Sequence, residues 1–123
     1  MDRRFLMTAI GYGILGLGLG IYMASSKNHG QLVTHAHIML LGLVVSFIYA
    51  VCYKLWLTEV QGLVPNLQFW FHLVGSTVLL ICLFLMFAGL APEAILGPFL
   101  GFSSILVLAS MIMLKVLLIK SKH

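Results

Sequence analysis

Apolar residues run almost unbroken along the chain in four stretches, roughly 5–24, 32–57, 67–90 and 94–117, separated by short polar segments. A helix needs about 20 residues to cross about 30 Å of hydrocarbon, and each stretch reaches or exceeds that length. The pattern predicts an all-α, polytopic membrane protein: a single domain over residues 1–123 with four transmembrane helices. Connections this short favour an up-down bundle of neighbouring helices. The first stretch is too long for a removable signal peptide and lacks a small-residue cleavage pattern, so it is read as helix 1.

Composition agrees with this picture. Of 123 residues, 62% are hydrophobic and only 8% charged, which leaves nothing for a soluble domain. Charge then orients the bundle. Arg3, Arg4, Lys54, Lys115, Lys120 and Lys122 fall on one side of a four-span arrangement and only Lys27 on the other. Basic flanks favour the cytoplasm, so both termini are expected inside an inner (cytoplasmic) membrane. The net charge of +4 follows from this asymmetry and from attraction to anionic headgroups, and gives no reason to invoke nucleic acid.

Helix 1 contains Gly11-Tyr12-Gly13-Ile14-Leu15-Gly16, which matches the dinucleotide-binding pattern in letters but follows no strand. Gly13, Gly16 and Gly20 recur at helical spacing instead, and Gly16 with Gly20 predicts a face that another helix approaches closely. Cys52 and Cys82 make neither a metal-binding nor a disulfide spacing. The acidic residues Asp2, Glu59 and Glu93 all fall at ends or in connections, so no span carries a carboxylate for a proton relay.

Candidate chemistry is concentrated in Thr34-His35-Ala36-His37-Ile38-Met39-Leu40-Leu41-Gly42, at the head of helix 2. Ionisable groups in a span usually face protein and are functional candidates, and imidazole is the commonest protein ligand of heme iron. Residues i and i+2 of a helix stand about 200° apart, so His35 and His37 serve two different neighbours and cannot share one metal from the same helix. Their plainer role is hydrogen bonding near the outer interface. His72 ranks below them, with a hydrogen-bonded packing residue as the plainer reading. It lies near the other end of its span, on the order of 15 Å from His37 along the membrane normal, so the two cannot flank one iron. His29, in a connection, and His123, at the terminus, are expected to be solvated. Tyr12, Tyr22, Thr34 and Trp70 are candidates to line a pocket, with packing or interfacial roles the plainer reading. Met39, Met111 and Met113 could assist soft copper but are more simply gap fillers.

From Thr34 to Pro92 the chain resembles the tenth and eleventh transmembrane helices of subunit I of the heme-copper oxidase superfamily, which includes nitric oxide reductases. In that family a His-x-His opens the tenth helix, the first histidine ligating the high-spin heme and the second the low-spin heme; here His35-Ala36-His37 occupies that motif. The next helix in the family begins with His-Phe-Trp and has a glycine five residues after the tryptophan. Phe69, Trp70 and Gly75 match, while Gln68 stands in place of the histidine. His72 has no counterpart, and Gly42 is one residue closer to the histidines. The resemblance implies heme, of b type since no Cys-x-x-Cys-His occurs, bound through His35 and His37 in electron transfer or gas-ligand redox chemistry. An enzyme of this kind would be an oxidoreductase with a redox partner. No copy of the family's copper-binding histidines is recognisable, so copper is assigned no ligands.

The family builds its ring from twelve helices in three similar arcs of four, and the resemblance implies that this chain is one such arc. A homotrimer would imitate the ring and bring His35 of one protomer and His37 of the next to a single heme. The reading from another class is a non-catalytic small subunit, assembly factor or heme- or copper-handling protein of a respiratory complex. Reporter fusions test the orientation: tags at both termini should report the cytoplasm, and an external signal from either would reverse the placement of His35 and His37.

Overall fold

The computed structural model describes residues 1–58, 60 and 62–121; Glu59, Lys122 and His123, which entered the sequence reading, lie outside the described residues. Four helices are long and apolar enough to cross a membrane: α1 (Asp2–Ser26), α2 (Leu32–Leu55), α3 (Leu63–Phe87) and α4 (Glu93–Ser121). Among the described residues there is no strand. The bundle is therefore that of a multi-pass membrane protein, as the apolar periodicity predicts.

Helix ends depart from the expected bounds for local reasons. α1 begins earlier because Asp2 places a carboxylate in the first turn, where the helix dipole favours it. It ends with Lys27 in the left-handed conformation (φ 57°), and the Ser26 hydroxyl accepts from the Asn28 amide at 3.2 Å. α3 starts four residues before the expected 67, because Pro65 stands in its first turn, where a missing N–H costs no hydrogen bond. It ends at Phe87 rather than at 90, because Gly89 (φ 72°) closes it. The Gly89 amide donates to the Met86 carbonyl (3.2 Å) and the Leu90 amide to the Leu85 carbonyl (3.0 Å), the two bonds of a Schellman ending.

The element order is up-down. Phe5 of α1, Tyr49 and Tyr53 of α2, Phe69 of α3, and Leu114 and Leu117 of α4 share one buried cluster, so opposite termini of successive helices meet at one end. Arg3, Arg4, Lys54, Lys115 and Lys120 belong to this end, called here the basic end. Arg4 ties α1 to α3 there, donating to Asn66 Oδ1 at 2.9 Å with its guanidinium 4.3 Å from the centre of the Phe69 ring.

α2 is not α-helical throughout: Ile38–Val45 forms a π-helical segment between two α-helical parts. The periodicity of apolar residues carries no sign of it. The wide turn accommodates the Tyr12 ring, against which a Cβ on Gly42 would stand 2.5 Å from Cγ. Tyr12 in turn reaches α3, its hydroxyl 2.8 Å from Ser76 Oγ and 2.7 Å from Thr77 Oγ1. The glycine face expected on α1 packs against α2: Gly16 meets Ile38 and Met39, and Gly20 meets His35. α3 and α4 pair closely at Gly75, where a Cβ would lie 3.0 Å from the Ser103 carbonyl oxygen.

Gly42→Ala should therefore destabilise the bundle by about 1–3 kcal/mol through overpacking against Tyr12. Gly101→Ala, where a Cβ meets nothing within 4 Å, should be neutral or stabilise α4 by up to about 1 kcal/mol. Denaturant titration of both variants in detergent checks the contrast.

Candidate functional site

The rotation of α2 is set at its first turn. Gln31 is buried: its side-chain amide donates to the Phe84 carbonyl of α3 (2.9 Å) and its Oε1 accepts from the Thr34 hydroxyl (2.7 Å). With Thr34 locked under Gln31, the next residue turns toward α1 and His37 turns outward. His35 is half-buried, its Nδ1 2.9 Å from the Gly16 carbonyl oxygen. The ring reaches that carbonyl because Gly20 has no side chain; a Cβ there would stand 3.1 Å from His35 Cε1. His37 is exposed, and its Nδ1 lies 2.9 Å from the Val33 carbonyl of its own helix. The two imidazoles leave different flanks of α2, as their spacing predicts.

A carbonyl oxygen only accepts, so Nδ1 of each ring carries the proton and each neutral ring keeps its Nε2 lone pair. An imidazole with Nδ1–H held by a backbone carbonyl and Nε2 free is the arrangement usual for a metal-ligating histidine. The donor set fits heme iron, which needs one or two protein ligands because the macrocycle fills the other positions. Among the described residues no group of three or more His, Cys, Asp or Glu side chains is assembled, so a metal held by side chains alone has no such cage there.

His72 is placed very differently. It is fully buried, its Nε2 2.7 Å from Ser46 Oγ, its ring edge-on to Tyr49 at 5.0 Å between centres and 6.0 Å from Phe5. These neighbours leave no face for a porphyrin. His72 meets α1 at Phe5 and His35 meets it at Gly16, eleven positions apart and roughly 16 Å along the helix.

Around His72 lies a polar cluster that the sequence reading missed. Tyr53 donates to Gln68 Oε1 (2.7 Å) and Ser110 donates to the Gln68 carbonyl (2.9 Å), while Gln68, Ser46 and Ser110 are all fully buried. Three buried atoms, Tyr49 Oη, Gln68 Nε2 and His72 Nδ1, find no hydrogen-bond partner among the described residues. The available signal was polar spacing on two facing helices: Ser46, Tyr49 and Tyr53 at i, i+3 and i+7 on α2, and Gln68, His72 and Ser76 at i, i+4 and i+8 on α3.

The remaining candidates disperse. Tyr12 and Thr34 are buried packing residues at the edge of an apolar groove of about 420 Å³ that also includes Ile38, Leu80 and Phe84. Tyr22 is exposed and Trp70 lies half-exposed, edge-on to Phe69. Met39 fills the gap over Gly16, whereas Met111 is exposed on α4. Cys52 and Cys82 are free thiols, both buried.

No protein-family model, curated protein or solved structure matches the chain. What the helices and side chains define by themselves is a polytopic four-helix membrane protein. It carries a pair of imidazoles near one end of α2 and a sealed polar cluster near the other.

Removing the His72 ring opens a cavity beneath Phe5 and orphans the Ser46 hydroxyl. His72→Ala should cost about 2–4 kcal/mol, and Ser46→Ala about 1–2 kcal/mol. Unfolding of both variants in mixed micelles gives the comparison; equal stability to the parent would refute a structural role for this bond.

Proposed function

We propose that the protein is a membrane heme protein related to subunit I of the heme-copper oxidases, with b-type heme held by His35 and His37. The observation that carries this reading is the shared state of the two rings: each has Nδ1 on a carbonyl oxygen at 2.9 Å, which leaves Nε2 as the ligating atom. Bound heme supplies one-electron redox or gas-ligand chemistry. The chain's part is to fix the tautomer and angle of each imidazole and to surround the site with apolar side chains that exclude water.

Because the two rings leave different flanks of α2, one protomer would hold any one heme through a single histidine. The exposed His37 flank facing the His35 side of a neighbouring copy completes a pair of ligands, and three copies close the ring in the manner of three four-helix arcs. Closed cyclic symmetry is the usual form of a homo-oligomer. With both termini in the cytoplasm, His35 and His37 fall in the outer half of the inner membrane, the side from which a redox partner would approach. Among the described residues no cluster of three or more His, Cys, Asp or Glu side chains offers a ligand set for copper.

Reduced protein should show heme bands in the visible spectrum, weakened or shifted by His35→Ala and by His37→Ala and little changed by His72→Ala. Native mass spectrometry of the loaded protein should give a trimer with up to three hemes. Mixing the two single variants should restore part of the six-coordinate spectrum, since some interfaces then pair an intact His35 with an intact His37. Protein that stays colourless after expression with ample heme and after reconstitution sinks the proposal and leaves the non-catalytic partner as the reading. A loaded monomer with an unchanged six-coordinate spectrum refutes ligation between protomers.

A further inference from the structure

At the basic end, α1 and α2 enclose a groove of about 430 Å³ whose walls are Leu6, Phe47, Ala50, Val51 and Leu55. Arg3, Lys54 and Asp2 stand at its edge. A second cavity of about 280 Å³ shares Asp2 and Lys54 with the groove and is bounded by Met1, Tyr53 and Thr58. One site is therefore apolar along its body and polar at its head.

The charges at the junction are unequal. The Asp2 carboxylate lies 3.8 Å from the terminal ammonium of Met1, which offsets it. Arg3 and Lys54 have no anionic partner among the described residues. Two cations thus border a cavity whose polar side offers the Thr58 hydroxyl as a donor. Phe47 is seven positions before Lys54, about 10 Å deeper along α2, so the apolar wall reaches well below the charged edge. A free phosphate would use the cations and leave that wall idle, whereas an uncharged acyl compound would leave the cations idle.

We infer that this composite site binds one anionic phospholipid. Its phosphate lies against Arg3 and Lys54, its polar headgroup in the smaller cavity, and one acyl chain along Leu6, Phe47 and Val51. Basic pockets between transmembrane helices recognise anionic headgroups by this combination of charge and enclosure. The site is separate from the imidazole pair and stands whether or not the protein binds heme.

Native mass spectrometry of the full-length protein, released from nanodiscs of equal phosphatidylglycerol and phosphatidylcholine, tests it. The parent should retain one phosphatidylglycerol in preference to phosphatidylcholine. The Arg3→Gln/Lys54→Gln variant should retain it about thirtyfold less well, while Lys115→Gln/Lys120→Gln, the same charge change elsewhere at the basic end, should retain it as the parent does. Val51→Trp, which fills the groove at constant charge, should also lose the lipid. Equal retention of the two lipids by the parent overturns the proposal without recourse to any variant. So does equal loss in both charge variants, full retention by Val51→Trp, or displacement of the lipid by inorganic phosphate alone.

Discussion

In hydrocarbon a polar group that finds no partner within the protein has no water to turn to, and the helix ends and the ties between helices answer to this constraint. Backbone groups meet it first. The Schellman ending at Gly89 satisfies carbonyls of the last turn of α3, and α2 stays hydrogen-bonded through its wide segment because the bonds shift register rather than break. Side chains meet it by pairing across helices: Gln31 with the Phe84 carbonyl, Tyr12 with Ser76 and Thr77, Ser46 with His72, Tyr53 with Gln68. Since packing of apolar surface against apolar lipid drives little association, these polar ties and the glycine contacts define which helix faces which.

Legibility in the sequence follows the range over which each feature is encoded. Membrane spans are encoded by uninterrupted hydropathy, and the packing face of α1 by glycines four apart, so both could be read from neighbouring residues. The opposite flanks of His35 and His37 follow from helix geometry over three residues. The π segment could not be read in this way. It arises where the Tyr12 ring from another helix occupies the space beside Gly42, a tertiary contact that leaves no local pattern in Ile38–Val45. The cluster around His72 was hidden for a related reason: Ser46, Tyr49 and Gln68 look like scattered polar residues until α2 and α3 are set face to face. A single span read alone gives no measure of which of its polar residues meet.

That cluster is unevenly satisfied. Gln68 uses its oxygen with Tyr53 but not its amide nitrogen, and His72 uses Nε2 with Ser46 but not Nδ1. An unpaired polar atom is costly in a low-dielectric interior, so the environment of His72 is incompletely satisfied among the described residues. The imidazole pair at the other end of α2 has the reverse character. Both rings are held at one nitrogen by a carbonyl, His35 against α1 and His37 on the exposed flank of α2. An imidazole is thus exposed at one end of α2, while the polar cluster at the other end is enclosed.

The π-helical segment lies between these two ends. A π turn takes up one more residue than an α turn, so the part of α2 before Ile38 is phased against the part after Val45 by about 100° relative to an unbroken α-helix. α2 behaves as a shaft with keyways cut at two angles, Thr34 and His35 keyed to α3 and α1 at one end, Ser46 and Tyr49 at the other. The offset between the keyways is quantised: lengthening or shortening Ile38–Val45 by one residue would swing the imidazoles by a whole residue's rotation while the Ser46 end stayed seated. The azimuth of His35 and His37 is thus inherited from the length of a segment that touches neither ring nitrogen.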